Sequence, residues 1–306
     1  MKTSLECMSC FVRQALDAAR MVSTDPAIHE RMIREVLRWA GEMDLNMPPP
    51  AMGQRIHRKL REITGVEDPY RAAKDRLNRL ALRLLPELRA KVKTASDPLV
   101  MAARLAIAGN VIDMGVSGNV TESAVYQSIR QALAKPFAGD PNGFRQAVAE
   151  ARSILYLADN AGEIVFDRLL IEQLPAGRVT LAIRGSPVIN DATMADARAA
   201  GLCEMAETID NGSDAPGTIL EDCSQDFVRR FREADLILAK GQGNFETLSE
   251  EPGNIVFLFQ VKCAVIGKEV GLPAGTHVLF RSRAKRLNQM DFGDKAKGDK
   301  AKYELH

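Results

Sequence analysis

The chain has no long apolar run. Its longest apolar stretches fall far short of the roughly 20 residues that cross a bilayer. The opening Met1-Lys2-Thr3-Ser4-Leu5-Glu6-Cys7 lacks the apolar core of a secretory signal. Excess charge is missing too: 41 basic residues meet 40 acidic ones, a net charge of +1, so no global field points to nucleic acid or a membrane surface. Histidine is scarce, with four in 306 residues and no ligand spacing: His29 and His57 lie on polar helical stretches and His306 is terminal. Five cysteines is an odd count, which suits a reducing compartment better than a disulfide framework. No internal repeat occurs. These absences lead to the expectation of a cytoplasmic protein whose partner is a small molecule, with no nucleic acid and no membrane; the oligomeric state stays open. At 306 residues the chain can hold a sizeable core, expected in two lobes.

What is present changes rhythm near residue 152. Before it the pattern is helical: residues 10–21, then a helix opened by Pro26 with Asp25 as cap and running towards Trp39. Met47-Pro48-Pro49-Pro50 reads as a break, followed by helices over 55–63 and 70–93. Asp97-Pro98 starts a helix that ends at Gly109-Asn110, residues 111–115 read as a loop crossing between lobes, and helices follow over 121–135 and 142–152. After it, short β-rich runs alternate with helical segments, at 154–158, 179–184, weakly 204–209, 236–239, 255–260 and 277–280. Such alternation predicts an α/β fold: a mainly parallel, Rossmann-like three-layer α/β/α sheet with an N-terminal all-helical lobe. The expected division is a helical lobe over 1–150, an α/β metal- and phosphate-binding domain over 151–283 and a flexible tail over 284–306, rich in Lys, Asp and Gly.

The run 154–158 closes on Asp159-Asn160, followed by Ala161-Gly162-Glu163. In open α/β sheets ligands bind beyond the carboxyl ends of the strands. Two oxygen donors there suit a hard cation, and a helix opening at Gly162 would offer backbone N–H groups to an anion. The other strand ends lead into Arg184-Gly185-Ser186 and Asn190-Asp191, into Asp210-Asn211-Gly212-Ser213-Asp214, and into Lys240-Gly241-Gln242-Gly243-Asn244. A parallel sheet brings these to one edge, a mixture of acids, amides, cations and glycines that matches a phosphoryl site. Each piece also has a plainer reading: Asp-Asn and Asn190-Asp191 as helix caps, Asp210-Asn211-Gly212 as a turn, and Gly241-x-Gly243 as an incomplete dinucleotide fingerprint.

The segments 158–163, 184–193 and 240–246, in this order and spacing, resemble the damage-control phosphatase family, formerly a domain of unknown function numbered eighty-nine. The similarity extends to Glu6-Cys7-Met8-Ser9-Cys10, Thr64-Gly65-Val66-Glu67-Asp68-Pro69-Tyr70, Gly109-Asn110-Val111-Ile112-Asp113 and Lys262-Cys263, nearly the whole chain up to about residue 280. It is strongest to the cysteine-bearing prokaryotic branch. The resemblance implies a metal-dependent phosphatase acting on small phosphorylated metabolites, with Mg²⁺, Mn²⁺, Co²⁺ or Ni²⁺ as cofactor. It implies metal ligands at Asp159, Asn160 and Asp191 and a phosphate-contacting Lys240, with Asp159 or Asp191 orienting the nucleophile. Glu163, Arg184, Asn190, Asp214 and Asn244 are lesser candidates for contacts to the phosphate or to the ligands.

Cys7-x-x-Cys10 is a metal or redox spacing, and Cys263 resembles the family's third cysteine. The three can meet as an accessory metal or redox site, or pack as small hydrophobes; Cys203 and Cys223 read as structural. Arg55, His57, Arg58 and Asn110 line the pocket or sit on solvated faces. Two other functions remain open. One is an S-adenosylmethionine-dependent carboxyl methyltransferase, which one branch of the family has been proposed to be. The other is a non-catalytic nucleotide- or metabolite-binding protein.

Overall fold

The computed structural model describes residues 1–110 and 122–282. Seven strands form one sheet in the order β1-β7-β6-β5-β2-β3-β4. They are β1 (Phe137–Gly139), β2 (Ile154–Leu157), β3 (Val179–Ile183), β4 (Glu207–Asp210), β5 (Leu236–Lys240), β6 (Ile255–Gln260) and β7 (His277–Arg281). All neighbouring pairs are parallel except β6–β7. Every residue of β2 and β5 is buried, because helices cover both faces; such strands read as continuous apolar runs rather than alternating ones. The edge strand β4 is half-exposed, which explains its weak signal. β1 is an addition to the expected strands: a three-residue edge piece pairing with β7.

The first segment carries α1 (Cys7–Val22), α2 (Pro26–Glu42) and α3 (Pro49–Thr64), then α4 (Arg71–Thr94), α5 (Pro98–Ala108), α6 (Glu122–Ala134) and α7 (Pro141–Glu150). Their starts follow one rule. Asp25, Asp97 and Asp140 each cap a helix through a side-chain oxygen, with proline next in the first turn. The same rule corrects the reading of the proline run. α3 begins at Pro49, six residues before Arg55, because a first-turn residue needs no N–H and proline is already set for the helix. The loop expected over 111–115 and the tail over 284–306 lie outside the described residues.

Between strands and after them come α8 (Glu163–Ile171), α9 (Met194–Ala199), α10 (Gln225–Glu233), α11 (Gly241–Leu248) and α12 (Ala264–Val270). Alternate strand residues feed two cores. Ile154, Tyr156, Leu181, Leu238 and Leu258 pack with α4, α5, α8 and α9. Leu155, Leu157, Ile237, Phe257 and Phe259 face α10, α11 and α12. The period-2 alternation of strand side chains thus builds a three-layer sandwich. A third core, with Phe11, Met32, Trp39, Met52, Ile56 and Leu60, joins α1, α2 and α3. Among the described residues no helix is long and apolar enough to cross a membrane.

α11 is held by an aromatic cluster: Phe245 stacks on Phe259 at 4.9 Å and meets Phe257 edge-on at 5.4 Å. Because Phe245 is fully buried, Phe245→Ala should cost about 3–5 kcal/mol. Urea denaturation checks this: the midpoint should fall while the slope with denaturant stays constant.

Candidate active site

From β2 the chain runs outward on one side, through β3 to β4; from β5, on the other side of β2, it runs to β6. The crevice between the carboxyl ends of β2 and β5 is therefore a topological switch point, where open α/β sheets bind ligands. Asp159 and Asn160 follow β2 there, and Lys240 and Gly241 end β5 and open α11.

Asp191 reaches the same place by a fold-back. After β3 the chain returns antiparallel to the β2 exit: Ala161 N donates to Asn190 O at 2.8 Å, Ala192 N to Asp159 O at 2.8 Å, and Arg184 N to Ala192 O at 3.0 Å. Asn160 and Asp191 form an antiparallel bridge. Ile189, just before this pair, has φ 44°. For a β-branched residue that backbone is strained by about 1–3 kcal/mol, a cost seen mostly where a site needs the geometry.

Asp159, Asn160, Glu163 and Asp191 are all buried. Asn160 Nδ2 donates to Asp159 Oδ2 at 2.8 Å and to Glu163 Oε2 at 3.2 Å. The two carboxylates fix the amide's orientation, so its carbonyl oxygen is the donor Asn160 has left to offer. Burial, then the charges of Glu163 and Asp191, push the Asp159 carboxyl well above the usual range, against the pull of Lys262 and Arg184. Two carboxylates and an amide oxygen make a hard, anionic donor set that fits a divalent cation. Gly241, at φ 80°, is required beside them: a Cβ there would lie 2.0 Å from Asp159 Oδ2.

Lys240 departs from its expected place. Its ammonium is fully buried and donates to Ala106 O at 2.9 Å, Glu163 Oε1 at 2.7 Å and Asp167 Oδ1 at 2.5 Å. All three N–H donors are spent on protein, so none is left for a phosphate. Burial alone would lower its pKa, but Asp167 and Glu163 outweigh that and hold it charged. Asp167 also accepts from Tyr156 Oη at 2.8 Å, and burial pushes its carboxyl up to about 6. Glu163 takes a further hydrogen bond from Asn110 Nδ2 at 3.1 Å.

The lesser candidates are hydrogen-bonded within the protein, Arg184 to one of the expected ligands. Arg184, buried, donates from Nε to Asp191 Oδ2 at 2.7 Å and approaches Thr218 and Asn244 at 3.5 Å. Asn244 ties α11 to the strand ends through Lys240 O at 2.7 Å. Asn190, also buried, contributes its backbone carbonyl to the fold-back. Asp214 is clasped by α3: Gln54 at 2.7 Å, Arg58 at 2.6 Å and Arg61 all donate to it. The Gly162 N–H expected to face an anion instead donates to Asn78 Oδ1 at 2.6 Å. Arg55 lies over the Trp39 ring at 4.3 Å, and His57 is buried against Tyr70, where burial holds its pKa down at about 4. Lys262, beside Cys263, lies near enough to Asp159 for its charge to draw that carboxyl down. It too follows a strand end, the signal that could have found it.

Cys7 opens α1, Cys10 is exposed and Cys263 caps α12; all are free thiols. Burial raises the Cys7 thiol, with smaller contributions from Glu246, Cys10 and Cys263. Among the described residues no three His, Cys, Asp or Glu side chains are grouped to hold a metal, the cysteine trio included. Asp159 and Asp191 with the Asn160 amide are a different kind of set.

Fold and site define a three-layer α/β protein with a buried acid–amide centre at the switch point of a mainly parallel sheet. The chain belongs to the damage-control phosphatase ARMT1-like family, whose model matches residues 3–278. It is 34% identical over 292 residues to a damage-control phosphatase of Pyrococcus horikoshii, covering 93% of this chain and 100% of that one. It is 34% identical over 285 residues to a damage-control phosphatase of Archaeoglobus fulgidus, covering 91% of this chain and 98% of the relative. The crystal structure of a DUF89 family protein from Pyrococcus horikoshii superposes with a TM-score of 0.84 at 31% identity, covering 92% of this chain and 100% of that chain.

Although burial opposes it, the Asp214 carboxyl is held below its usual range by Arg58, Gln54 and Arg61. A depressed folded pKa gives stability that is complete above the unfolded value of about 3.9 and lost as pH falls through the folded one. With Arg58 half-exposed and screened, Asp214→Asn should cost about 1–2 kcal/mol at pH 7. The gap to wild type should narrow below about pH 4, as read from urea midpoints at both pH values.

Proposed function

We propose that this chain is a metal-dependent phosphatase that hydrolyses small phosphorylated metabolites. The observation that carries the reading is the fold-back of 190–192 onto 159–161, which sets Asp159, Asn160 and Asp191 side by side in the buried crevice between β2 and β5. The names of the relatives from Pyrococcus horikoshii and Archaeoglobus fulgidus support the same reaction class. Asp159, Asn160 Oδ1 and Asp191 would hold the cation, Mg²⁺, Mn²⁺, Co²⁺ or Ni²⁺. When bound, it supplies Lewis-acid neutralisation of the phosphoryl oxygens.

The chain's own groups do the rest. Arg184 fixes Asp191 in direction. Lys240 and Asn110 do the same for Glu163, which in turn orients Asn160. Lys262 brings positive charge to the Asp159 side of the crevice, where a phosphate dianion needs it. Asp159 or Asp191 orients the attacking water, and the products are the free alcohol and inorganic phosphate.

p-Nitrophenyl phosphate assayed with a panel of these four cations tests the reading. Turnover should stop on chelation and return with metal. Asp159→Ala and Asp191→Ala should each lower kcat/KM by about 100-fold or more, since even groups that only support a metal ligand cost 10–100-fold. Lys262→Ala should raise KM more than it lowers kcat. Undiminished metal-dependent activity in Asp159→Ala would sink the assignment. Calorimetric binding of S-adenosylmethionine without turnover of the phosphate ester would favour the methyltransferase reading.

A further inference from the structure

The two loops that carry Asp159-Asn160 and Asp191 are joined a second time, from outside the sheet, by one side chain. Asn78, on α4, is buried. Its Oδ1 accepts from Gly162 N at 2.6 Å, and its Nδ2 donates to Asp196 Oδ1 at 2.8 Å. Gly162 lies two residues after Asn160, at φ 78°. Asp196 lies five residues after Asp191, fully buried, where it closes the capping box of α9 by accepting from Thr193 N at 2.9 Å and Thr193 Oγ1 at 2.8 Å. One amide therefore bridges the exit of β2 to the start of α9.

The bridge is anchored from α4 as well. Arg71 donates to Asp196 Oδ1 at 2.6 Å, and the buried Lys74 pairs with Asp196 Oδ2 at 3.1 Å and with Asp68 at 3.2 Å. Arg71, Lys74 and Asn78 stand at helical spacing, so one face of α4 presents all three to α9. Burial works against the Asp196 charge, but Lys74, Arg71 and Thr193 overcome it and keep it ionised. Asn78 is an amide with both its functions used, held between a fixed carboxylate and a backbone N–H, and neither end can drift independently.

We propose that Asn78 is a positioning residue for the metal centre: it sets the span between the Asp159-Asn160 pair and Asp191. This rests on the metal-dependent reading. The backbone fold-back fixes the register of the two loops. Asn78 adds the lateral constraint, and it transmits the docking of α4 to the ligand oxygens. Groups that hold metal ligands in place shift affinity by about 10–100-fold when removed.

The test uses the full-length, metal-free protein titrated with Mn²⁺, with bound and free ion read by electron paramagnetic resonance. Circular dichroism and thermal melts establish that each variant is folded. Asn78→Ala should raise the Mn²⁺ Kd by about 10-fold or more, and hydrogen exchange at the Gly162 amide should speed up. Arg71→Ala, which loosens Asp196 from a half-buried position, should shift Kd in the same direction by roughly a few-fold. It decides the question if Asn78→Ala does not fold. Arg89→Ala is the control. It removes another α4 ion pair, to Glu172 at the far end of α8, and should leave Kd unchanged. An unaltered Kd in a folded Asn78→Ala, or an equal shift in Arg89→Ala, overturns the positioning role while leaving metal dependence intact. Wild-type protein that binds no Mn²⁺ overturns both.

Discussion

Four carboxylates, Asp159, Glu163, Asp167 and Asp191, are buried together at the end of β2, and much of the surrounding structure serves to tolerate them. Buried charge is costly unless it is paired and hydrogen-bonded. Among the described residues the buried cations Lys240 and Arg184 form ion pairs with three of these four. Lys240 is shared by Glu163 and Asp167, and Arg184 serves Asp191. Asp159 receives one amide hydrogen, from Asn160. Asp167 Oδ2 is buried without a partner among the described residues. The imbalance is greatest at Asp159, beside the crevice, which is where a divalent cation would offset it best.

The same charge problem explains why the first segment leans so heavily on the sheet. The C-terminal end of α5 supplies the Ala106 carbonyl to Lys240 and Asn110 follows it to Glu163; α4 supplies Asn78 to Gly162; α3 clasps Asp214. Each contact neutralises or orients a polar group of the α/β layer. α4 and α5 also share their apolar core with α8 and one face of the sheet. These helices are therefore part of the site's scaffold, and the polar contacts ride on an apolar interface that fixes their distances.

What was legible in the sequence followed burial on both sides. Residues 154–157 and 236–239 are buried throughout, so they stand out as unbroken apolar runs bounded by polar ends. β1 was not legible: three residues, Phe-Ala-Gly, at a half-exposed edge carry no period. The start of α3 was misread because prolines that break a helix interior are acceptable in its first turn. In the site, Asp159 and Asn160 were readable as strand-end residues, since parallel topology brings such ends together; Asp191, further beyond β3, needs the antiparallel fold-back as well. The particular partners of Arg184, Asn244 and Asp214 were not readable, because they depend on which neighbour lies across the loop. Asn78 gives no signal at all: one asparagine in a long amphipathic helix looks like surface until the opposing backbone is known.

Lys240 marks the physical limit of that reading. A lysine at the end of a parallel strand looks like a cation aimed at a ligand, yet α8 decides otherwise. Glu163 and Asp167 are four apart on that helix, so they share a face, and with Tyr156 on β2 they enclose the ammonium. The hint in the sequence was an acid pair inside the otherwise apolar start of Glu163–Ile171. A fully buried ammonium with all its donors satisfied would have to break two charge-assisted bonds to reach a phosphate, a large cost. Lys262 lies outside that enclosure, exposed just beyond the end of β6, and its charge reaches Asp159. The buried lysine thus holds the carboxylate that orients Asn160, and the outer one lends its charge to the Asp159 side.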